Sequence, residues 1–205
     1  LTDISNMDDN IMNKGLELVT DYRRNKVERC KFREDKERSL AAGLLLNYAT
    51  KMYAEYMKMQ IKYEHVIDDV KDGIECNVDN NSKNNNGCDG KYNKENNIEY
   101  KTDGNIIVNV RLDELVENYD ASYDYDIEYV ANGKPVYRNS DIYFNLSHAG
   151  NYVVCAVSDK AVGVDIERQR KNVIRVAKRF FTQAECDWIG NDSLKFSRIW
   201  TLKEA

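Results

Sequence analysis

Residues 142–167 read IYFNLSHAGNYVVCAVSDKAVGVDIE and contain three apolar segments, at 142–150, 152–158 and 161–167. Within each segment, large apolar side chains alternate with smaller or polar ones, as in a β-strand with one buried face. The links between the segments are too short to carry a crossover helix, so consecutive strands run in opposite directions. The sequence therefore predicts an antiparallel meander.

A hairpin is predicted just before this meander. The stretch IEYVANGKPVY at 127–137 places Asn132-Gly133 between two arms of alternating apolar residues. Asn-Gly between such arms is a strong hairpin signal, because both residues accept the backbone angles of a tight turn. Pro135, the only proline of the chain, lies in the second arm.

Helices are predicted on both sides of these strands. A long amphipathic helix from about Asp35 to about Met59 is indicated by apolar residues at helical spacing, which are Leu40, Leu44, Tyr48, Met52 and Tyr56. Downstream, VIRVAKRFF at 173–181 is helical in pattern, and Thr182 with Glu185 forms a capping box. Helices combined with an antiparallel sheet predict the α+β fold class.

A last helix is predicted at the end of the sequence. Its residues Phe196, Ile199, Trp200 and Lys203 follow an i, i+3, i+4, i+7 course, and Glu204 lies one turn after Trp200. We assign Trp200 to core packing beneath Glu204, because an aromatic residue at helical spacing is usually part of a core.

The composition favours a globular protein with local charge signals. The chain has 205 residues, 42% of them hydrophobic, and a formal net charge of −5, which argues against a surface devoted to nucleic acid or anionic lipid. Five widely spaced cysteines without a CxxC pair indicate reduced thiols and a cytoplasmic location. No membrane span or signal peptide is predicted.

One segment departs from this composition. Residues 77–97, NVDNNSKNNNGCDGKYNKENN, are dominated by Asn and carry almost no large apolar side chain. Such a segment cannot offset the entropy of its own ordering, so we predict a mobile insertion here.

Two acids and two basic clusters are the candidate site. Asp165 and Glu167 lie on one face if their segment is a strand, about 6.6 to 6.8 Å apart at the backbone, and oxygen ligands suit Mg²⁺ or Mn²⁺. Residues 168–179 hold six bases and no acid, residues 22–33 hold six bases and one acid, and Lys134 adds another base on a turn. Carboxylates for a metal beside Lys and Arg are typical of a polyphosphate site.

Four separated motifs then carry a resemblance to a known family. They are RCKFREDKERSLAAGLLL at 29–46, NGKPVYRNSDIYFNLSHAG at 132–150, VGVDIE at 162–167 with AKRFF at 177–181, and WTLKEA at 200–205. In this order and spacing the chain resembles the surfactin-type (Sfp-like) 4'-phosphopantetheinyl transferases. That family moves phosphopantetheine from coenzyme A to a serine of a carrier protein. The resemblance runs from about Leu16 to Ala205, without the stretch from about Gln60 to Asp120.

The resemblance implies a fold of two α+β halves related by a pseudo-twofold axis, each a small antiparallel sheet packed on a long helix. We accordingly predict an N-terminal half-domain at 1–160, with the Asn-rich insertion, and the start of a C-terminal half-domain at 161–205. The family's opening strand is not visible in the polar sequence before Leu16. Since the family motif continues beyond WTLKEA to a further lysine and several strands, we expect the second half to be incomplete at Ala205.

The resemblance also implies roles for individual residues. The metal ligands fall on Asp165, Glu167 and Glu204, and Glu204, or a metal-bound water that it orients, is the candidate base for the carrier serine. The coenzyme A phosphates fall against Arg23, Lys26, Lys134, Ser147 and His148. Arg38 and Ser39 fall near the nucleotide. Mg²⁺ or Mn²⁺ is the implied cofactor, and coenzyme A and an apo acyl or peptidyl carrier protein are the implied partners. The enzyme is expected to be a monomer and to act in fatty acid, polyketide or nonribosomal peptide biosynthesis.

Three other interpretations were weighed. Ser147-His148 does not favour a hydrolase, because adjacent strand residues point to opposite faces and no G-x-S-x-G motif is present. A basic-patch module that binds nucleic acid conflicts with the acidic composition. A catalytically inactive relative that acts as a binding scaffold is disfavoured by the intact acids Asp165, Glu167 and Glu204.

Overall fold

The computed structural model describes the backbone of residues 1–71, 92–93, 98–100, 106–131, 133–169 and 173–205. Side chains are described for 1–59, 109–131, 133–169 and 173–205. Apart from the backbone of Tyr92–Asn93, the predicted Asn-rich insertion at 77–97 lies outside the described residues. No helix among the described residues is both long enough and apolar enough to cross a membrane.

The chain begins with a short strand and three helices. Strand β1 is Thr2–Asp3, and helices α1, α2 and α3 are Asp9–Leu18, Asp21–Glu28 and Arg33–Lys71. Asp8 and Thr20 cap α1 and α2 by accepting hydrogen bonds from backbone N–H groups of the first turn. The predicted long helix is confirmed, with Leu40 and Leu44 fully buried where α3 crosses the main sheet.

Strand β1 corrects the expectation that no strand precedes Leu16. Thr2 pairs with Val153 in antiparallel register and is almost fully buried. A strand of two residues is too short to create an alternating pattern, and its stability comes from backbone pairing with the next strand of the sheet. Sequence periodicity therefore had no signal to detect.

Three small antiparallel sheets follow along the chain. The first contains β2 (Tyr92–Asn93), β3 (Ile98–Tyr100) and β4 (Ile106–Val108), and α4 (Leu112–Glu117) comes after it. The predicted hairpin is confirmed as β5 (Ile127–Tyr129) paired with β6 (Pro135–Tyr137). Gly133 in its turn has a φ of 80°, in the region that favours glycine. Strands β7 (Tyr143–Ala149) and β8 (Tyr152–Ser158) complete the main sheet in the order β1-β8-β7.

The third predicted strand of the meander, at 161–167, is wrong. Residues 161–169 have no regular secondary structure, although β7 and β8 pair as predicted. Two backbone groups of this segment bond to side chains, whereas a strand would pair with a neighbouring strand. The Ile166 N–H donates to Ser147 Oγ at 3.2 Å, and the Val162 carbonyl accepts from Lys134 Nζ at 3.5 Å.

Three short helices form the last part of the chain: α5 (Ile174–Phe180), α6 (Gln183–Ile189) and α7 (Ser193–Glu204). They bury an apolar cluster of their own, which contains Val173, Ala177, Cys186, Ile189 and Phe196. The predicted capping box is confirmed at the start of α6, where Thr182 and Glu185 bond to each other's backbone N–H groups. Mixed helices and small antiparallel sheets agree with the α+β class.

Candidate functional site

The candidate site is built around residues 161–167, which pass from the end of the main sheet to the C-terminal helices. Gly163 lies directly against the end of α7, where an added Cβ would approach the Ala205 carbonyl oxygen to 1.9 Å. Only glycine permits this close approach of two backbones. The contact brings the acids of this segment next to the helix that carries Trp200 and Glu204.

The Asp165 carboxylate has two oxygens in different situations. Its Oδ1 accepts a hydrogen bond of 2.6 Å from the Ser147 hydroxyl of β7. Its Oδ2 is buried and has no hydrogen-bond partner among the described residues. A buried carboxylate oxygen without a partner is costly unless a cation or donor approaches it. This oxygen is therefore the strongest local indication of a ligand.

Glu167 is held by a residue that the sequence pattern had placed in the core. The Trp200 indole N–H donates to Glu167 Oε1 at 3.1 Å, while its ring stacks on Phe196 with centroids 5.6 Å apart. Trp200 thus packs as predicted and also orients an acid of the site. Helical spacing revealed the packing, but it contains no information on where the indole nitrogen points.

Glu204 is exposed in the last turn of α7. No group of three or more acidic, His or Cys side chains that could hold a metal ion occurs among the residues whose side chains are described. The structure therefore brings Asp165 and Glu167 together with their hydrogen-bond donors, but it does not gather Glu204 with them. The set of three carboxylate ligands stays a prediction.

The residues around Asp165 fit a hard divalent cation. Carboxylate oxygens are the ligands that Mg²⁺ and Mn²⁺ prefer, and the partnerless Asp165 Oδ2 is a position that such an ion would satisfy. Asp165 and Glu167 would hold the ion, while Ser147 donates to Asp165 Oδ1 and Trp200 donates to Glu167 Oε1.

Two arginines meet at the turn between β7 and β8. Arg38 of α3 donates to the Gly150 carbonyl at 3.2 Å and pairs with Asp35 at 2.5 Å. Arg168 covers the same glycine, since a Cβ at Gly150 would lie 2.2 Å from its Nη2. Arg168 was not among the predicted site residues, although it begins the basic run that the sequence displays. Both guanidinium groups therefore lie at the Gly150 turn, three residues after Ser147.

Ser147 and His148 are separated by the alternation of β7. The Ser147 side chain is directed at the 161–167 segment, where it contacts Asp165 and Ile166, and His148 follows on the opposite face as an exposed residue. The structure thus agrees with the argument against a Ser-His pair.

Arg23 lies in a different environment from the other predicted basic residues. It is 7% exposed, and its Nη1 donates to the Ser39 carbonyl at 3.3 Å. Burial lowers the pKa of its guanidinium. The neighbouring cavity of about 30 Å³ is lined by five tyrosines among other residues and has room for water. Lys26, on the same helix, is exposed.

The family model described as the 4'-phosphopantetheinyl transferase superfamily matches residues 161–205, which include Asp165, Glu167 and Trp200.

Several curated relatives carry the same description. The chain is 40% identical over 78 residues to 4'-phosphopantetheinyl transferase gsp of Aneurinibacillus migulanus, covering 36% of this chain and 32% of that protein. It is 35% identical over 79 residues to 4'-phosphopantetheinyl transferase Sfp of Bacillus subtilis, covering 36% and 35%. With 4'-phosphopantetheinyl transferase HetI of Nostoc sp., identity is 37% over 90 residues, covering 38% of each.

The chain matches about a third of the length of gsp and about a third of the length of Sfp. Relatives from different bacterial genera carry the description that the family model also has. The resemblance is thereby confirmed: residues 161–205, which hold the acids of the candidate site, carry the sequence signature of the 4'-phosphopantetheinyl transferase superfamily.

Proposed function

We propose that the protein transfers the 4'-phosphopantetheine group of coenzyme A to a serine of an apo acyl or peptidyl carrier protein, with Mg²⁺ or Mn²⁺ as cofactor and 3',5'-ADP as leaving group. The names of the relatives support the reaction class. The scaffold and nucleic-acid alternatives have no support from the described residues or from the relatives.

One observation carries the proposal. Within the segment that matches the family model, Asp165 Oδ1 accepts from the Ser147 hydroxyl, Glu167 Oε1 accepts from the Trp200 indole, and Asp165 Oδ2 is buried without a partner among the described residues. This arrangement prepares carboxylates for a cation, and a core without such a function gains nothing from a buried, unsatisfied oxygen.

The bound cation would supply neutralisation of negative charge on the pyrophosphate and on the departing nucleotide. The basic side chains of the chain assist from the protein side. We propose that Lys26, Lys134 and His148 hold phosphate oxygens of coenzyme A and that Arg38 lies near the nucleotide, because basic side chains donate hydrogen bonds to such groups. Arg168 joins this set, since it shares the Gly150 turn with Arg38. Arg23 donates to the Ser39 carbonyl, and for these residues a phosphate contact of Arg23 and a position of Ser39 near the nucleotide remain predictions.

The transfer is a displacement at phosphorus. The carrier serine oxygen forms a bond to the phosphorus that bears pantetheine, and the bond from this phosphorus to the 3',5'-ADP oxygen breaks. The serine proton passes to a base, for which we propose Glu204, exposed at the end of α7 and thus accessible to a carrier protein. The negative charge leaves with 3',5'-ADP.

The arrangement of the two halves, the oligomeric state and the cellular location are also part of the proposed function. We propose a pseudo-twofold arrangement of two α+β halves with the site between them, supported by the bonds from Ser147 to Asp165 and from Lys134 to Val162 across the predicted boundary at 160. We also propose that the protein acts as a monomer in the cytoplasm, on carriers of fatty acid, polyketide or nonribosomal peptide biosynthesis.

Intact-mass measurement of a carrier protein tests the proposal. The native protein, coenzyme A and an apo carrier are incubated with Mg²⁺, and the carrier is expected to gain the mass of one phosphopantetheine. Asp165→Asn should remove this gain, and the matched variant Asp159→Asn, at an exposed acid beyond β8, should leave it unchanged. An equal gain in excess chelator would contradict the metal role, and no gain under any condition would contradict the reaction.

A further inference from the structure

The Ser147 hydroxyl makes two hydrogen bonds within the chain. It donates its proton to Asp165 Oδ1 at 2.6 Å and accepts from the Ile166 N–H at 3.2 Å. The backbone bond fixes the hydroxyl relative to the 161–167 segment, and the other bond fixes the rotation of the Asp165 carboxylate. With Oδ1 occupied, the remaining oxygen of Asp165 is the buried Oδ2.

A hydroxyl has one proton to donate. While Ser147 donates it to Asp165, the same proton cannot be donated to a phosphate oxygen. The family resemblance placed Ser147 among the residues that contact phosphate, so the bond to Asp165 assigns the side chain a different partner. The two roles make opposite demands on one atom, and they can be separated by experiment.

We propose that Ser147 is a positioning residue for the cation site: it orients the Asp165 carboxylate so that Oδ2 is directed toward a divalent cation. This inference rests on the proposed function for the identity of the cation. Ligating carboxylates are commonly held by hydrogen bonds from neighbouring groups, and loss of such a bond typically lowers metal affinity by about 10 to 100-fold. Ser147 supplies this bond from β7, a strand paired along its whole length with β8.

The test is a titration of the protein with Mn²⁺ in the absence of coenzyme A. The concentration of free Mn²⁺ at each point is measured by electron paramagnetic resonance, which gives the Mn²⁺ affinity. Ser147→Ala is expected to weaken Mn²⁺ binding by about 10 to 100-fold, and Ser147→Thr, which keeps the hydroxyl, is expected to restore most of it. Ser147→Cys preserves the volume with a weaker donor and provides the same comparison if the alanine variant does not fold.

Ser158→Ala is the matched control. Ser158 is at the end of β8, and its hydroxyl likewise accepts a backbone N–H, from Lys160, and bonds to an acid, Asp159. Since these groups lie outside the candidate site, the Mn²⁺ affinity of this variant should equal that of the unaltered protein.

Coenzyme A binding without metal distinguishes the two roles of Ser147. Unchanged Mn²⁺ affinity in Ser147→Ala, together with weaker coenzyme A binding, would overturn the positioning role and leave the proposed transfer reaction standing. Weaker Mn²⁺ binding in a protein that modifies no carrier would support the positioning role and contradict the proposed reaction. Absence of Mn²⁺ binding by the unaltered protein would overturn the inference and the metal role together.

Discussion

Trp200 combines an apolar contact and a polar one in a single side chain. Its ring stacks on Phe196 and meets Phe180 edge to face, while its indole N–H donates to Glu167. The ring stabilises the cluster of C-terminal helices, and the nitrogen fixes an acid of the candidate site. The two contributions are separable because phenylalanine keeps an aromatic ring but lacks the N–H group.

Trp200→Phe is therefore expected to lower Mn²⁺ affinity about 10-fold, within the range for loss of a bond to a metal ligand, with little change in melting temperature. Trp200→Ala should also destabilise the fold, by about 3 to 5 kcal/mol for a fully packed ring and less here because the side chain is only half-buried. Metal titration and thermal unfolding of both variants check this. Equal Mn²⁺ affinity in Trp200→Phe and the unaltered protein would contradict the orienting role.

Asp165 is expected to be needed for the transfer step, and the basic residues are expected to be needed for coenzyme A binding. Asp165→Ala should abolish transfer and leave coenzyme A binding partly intact, because the cationic side chains still hold the phosphates. Lys134→Ala or His148→Ala should each weaken coenzyme A binding by about 1.5 to 3 kcal/mol if the residue makes a charge-assisted bond. Isothermal titration and turnover rates measure the two quantities, and parallel losses of both in all three variants would contradict this division.

At the scale of elements, the start of α6 links two of the C-terminal helices. Glu185 accepts from the Thr182 backbone N–H at 2.8 Å and pairs with Lys203 of α7 at 3.1 Å. Thr182 in turn accepts from the Glu185 N–H. This capping box fixes the first turn of α6 and connects it to the last turn of α7, next to Glu204.

Removal of the cap should be measurable as a loss of stability. Thr182→Ala is expected to cost about 1 kcal/mol in the free energy of unfolding, whereas Thr182→Ser should cost much less because it keeps the hydroxyl. Denaturant unfolding followed by circular dichroism checks both variants. A Thr182→Ala variant as stable as the unaltered protein would show that the cap does not contribute to the free energy of unfolding.

Glu185 also gives this region a dependence on pH. Its bonds to the Thr182 N–H and then to Lys203 lower its pKa below the ordinary value of 4.5. The stabilising contribution is thus present above pH 4.5 and is lost as the pH falls through the lowered value. We expect the drop in unfolding free energy between pH 6 and pH 3 to be smaller in Glu185→Gln than in the unaltered protein; an equal drop would contradict this assignment.

The elements that could be predicted from the sequence are those with a repeated or local signal. The helical spacing of Leu40 and Leu44 predicted α3, and Asn132-Gly133 predicted the hairpin. Thr182 with Glu185 predicted the start of α6. Residues 161–167 alternate like a strand, but their backbone groups bond to Ser147 and Lys134. Alternation describes which side chains are apolar and contains nothing about which backbone partner is available.

In the candidate site too, the sequence pattern predicted individual residues but not their contacts. Asp165 and Glu167 were accessible as acids two positions apart, but their donors Ser147 and Trp200 lie 18 and 33 positions from them. Such long-range pairs depend on the packing of β7 and α7 against the segment. The burial of Arg23 depends likewise on the packing of α2 against α3 and was not visible in a run of basic residues.

In the molecule as a whole, ionisable groups packed in the apolar clusters set a limit on stability at high pH. Cys155 of β8 packs against two apolar clusters, and desolvation raises the pKa of its thiol from 9.0 to about 12. Burial also raises the pKa of Tyr137. The folded state therefore keeps protons that the unfolded chain releases, so the contribution of these two groups to stability is constant below pH 9 and decreases as the pH rises toward 12.

Cys155→Ala should reduce this decrease without removing it, because Tyr137 still contributes. The measurement is the unfolding free energy at pH 7.5 and pH 10.5 in both proteins, compared as the difference between the two pH values rather than as absolute stability. If the decrease were as steep in Cys155→Ala as in the unaltered protein, the thiol would not be the group responsible.

We propose that a carboxylate pair at 165 and 167 supports metal-dependent transfer of phosphopantetheine. The most direct test is a count of both products in one reaction of the native protein with coenzyme A and an apo carrier, since the proposed displacement couples them. We predict one 3',5'-ADP released for each carrier serine modified, with both products absent after chelation and restored by Mg²⁺. Release of 3',5'-ADP without carrier modification, or equal amounts of both products in chelator, would contradict the claim.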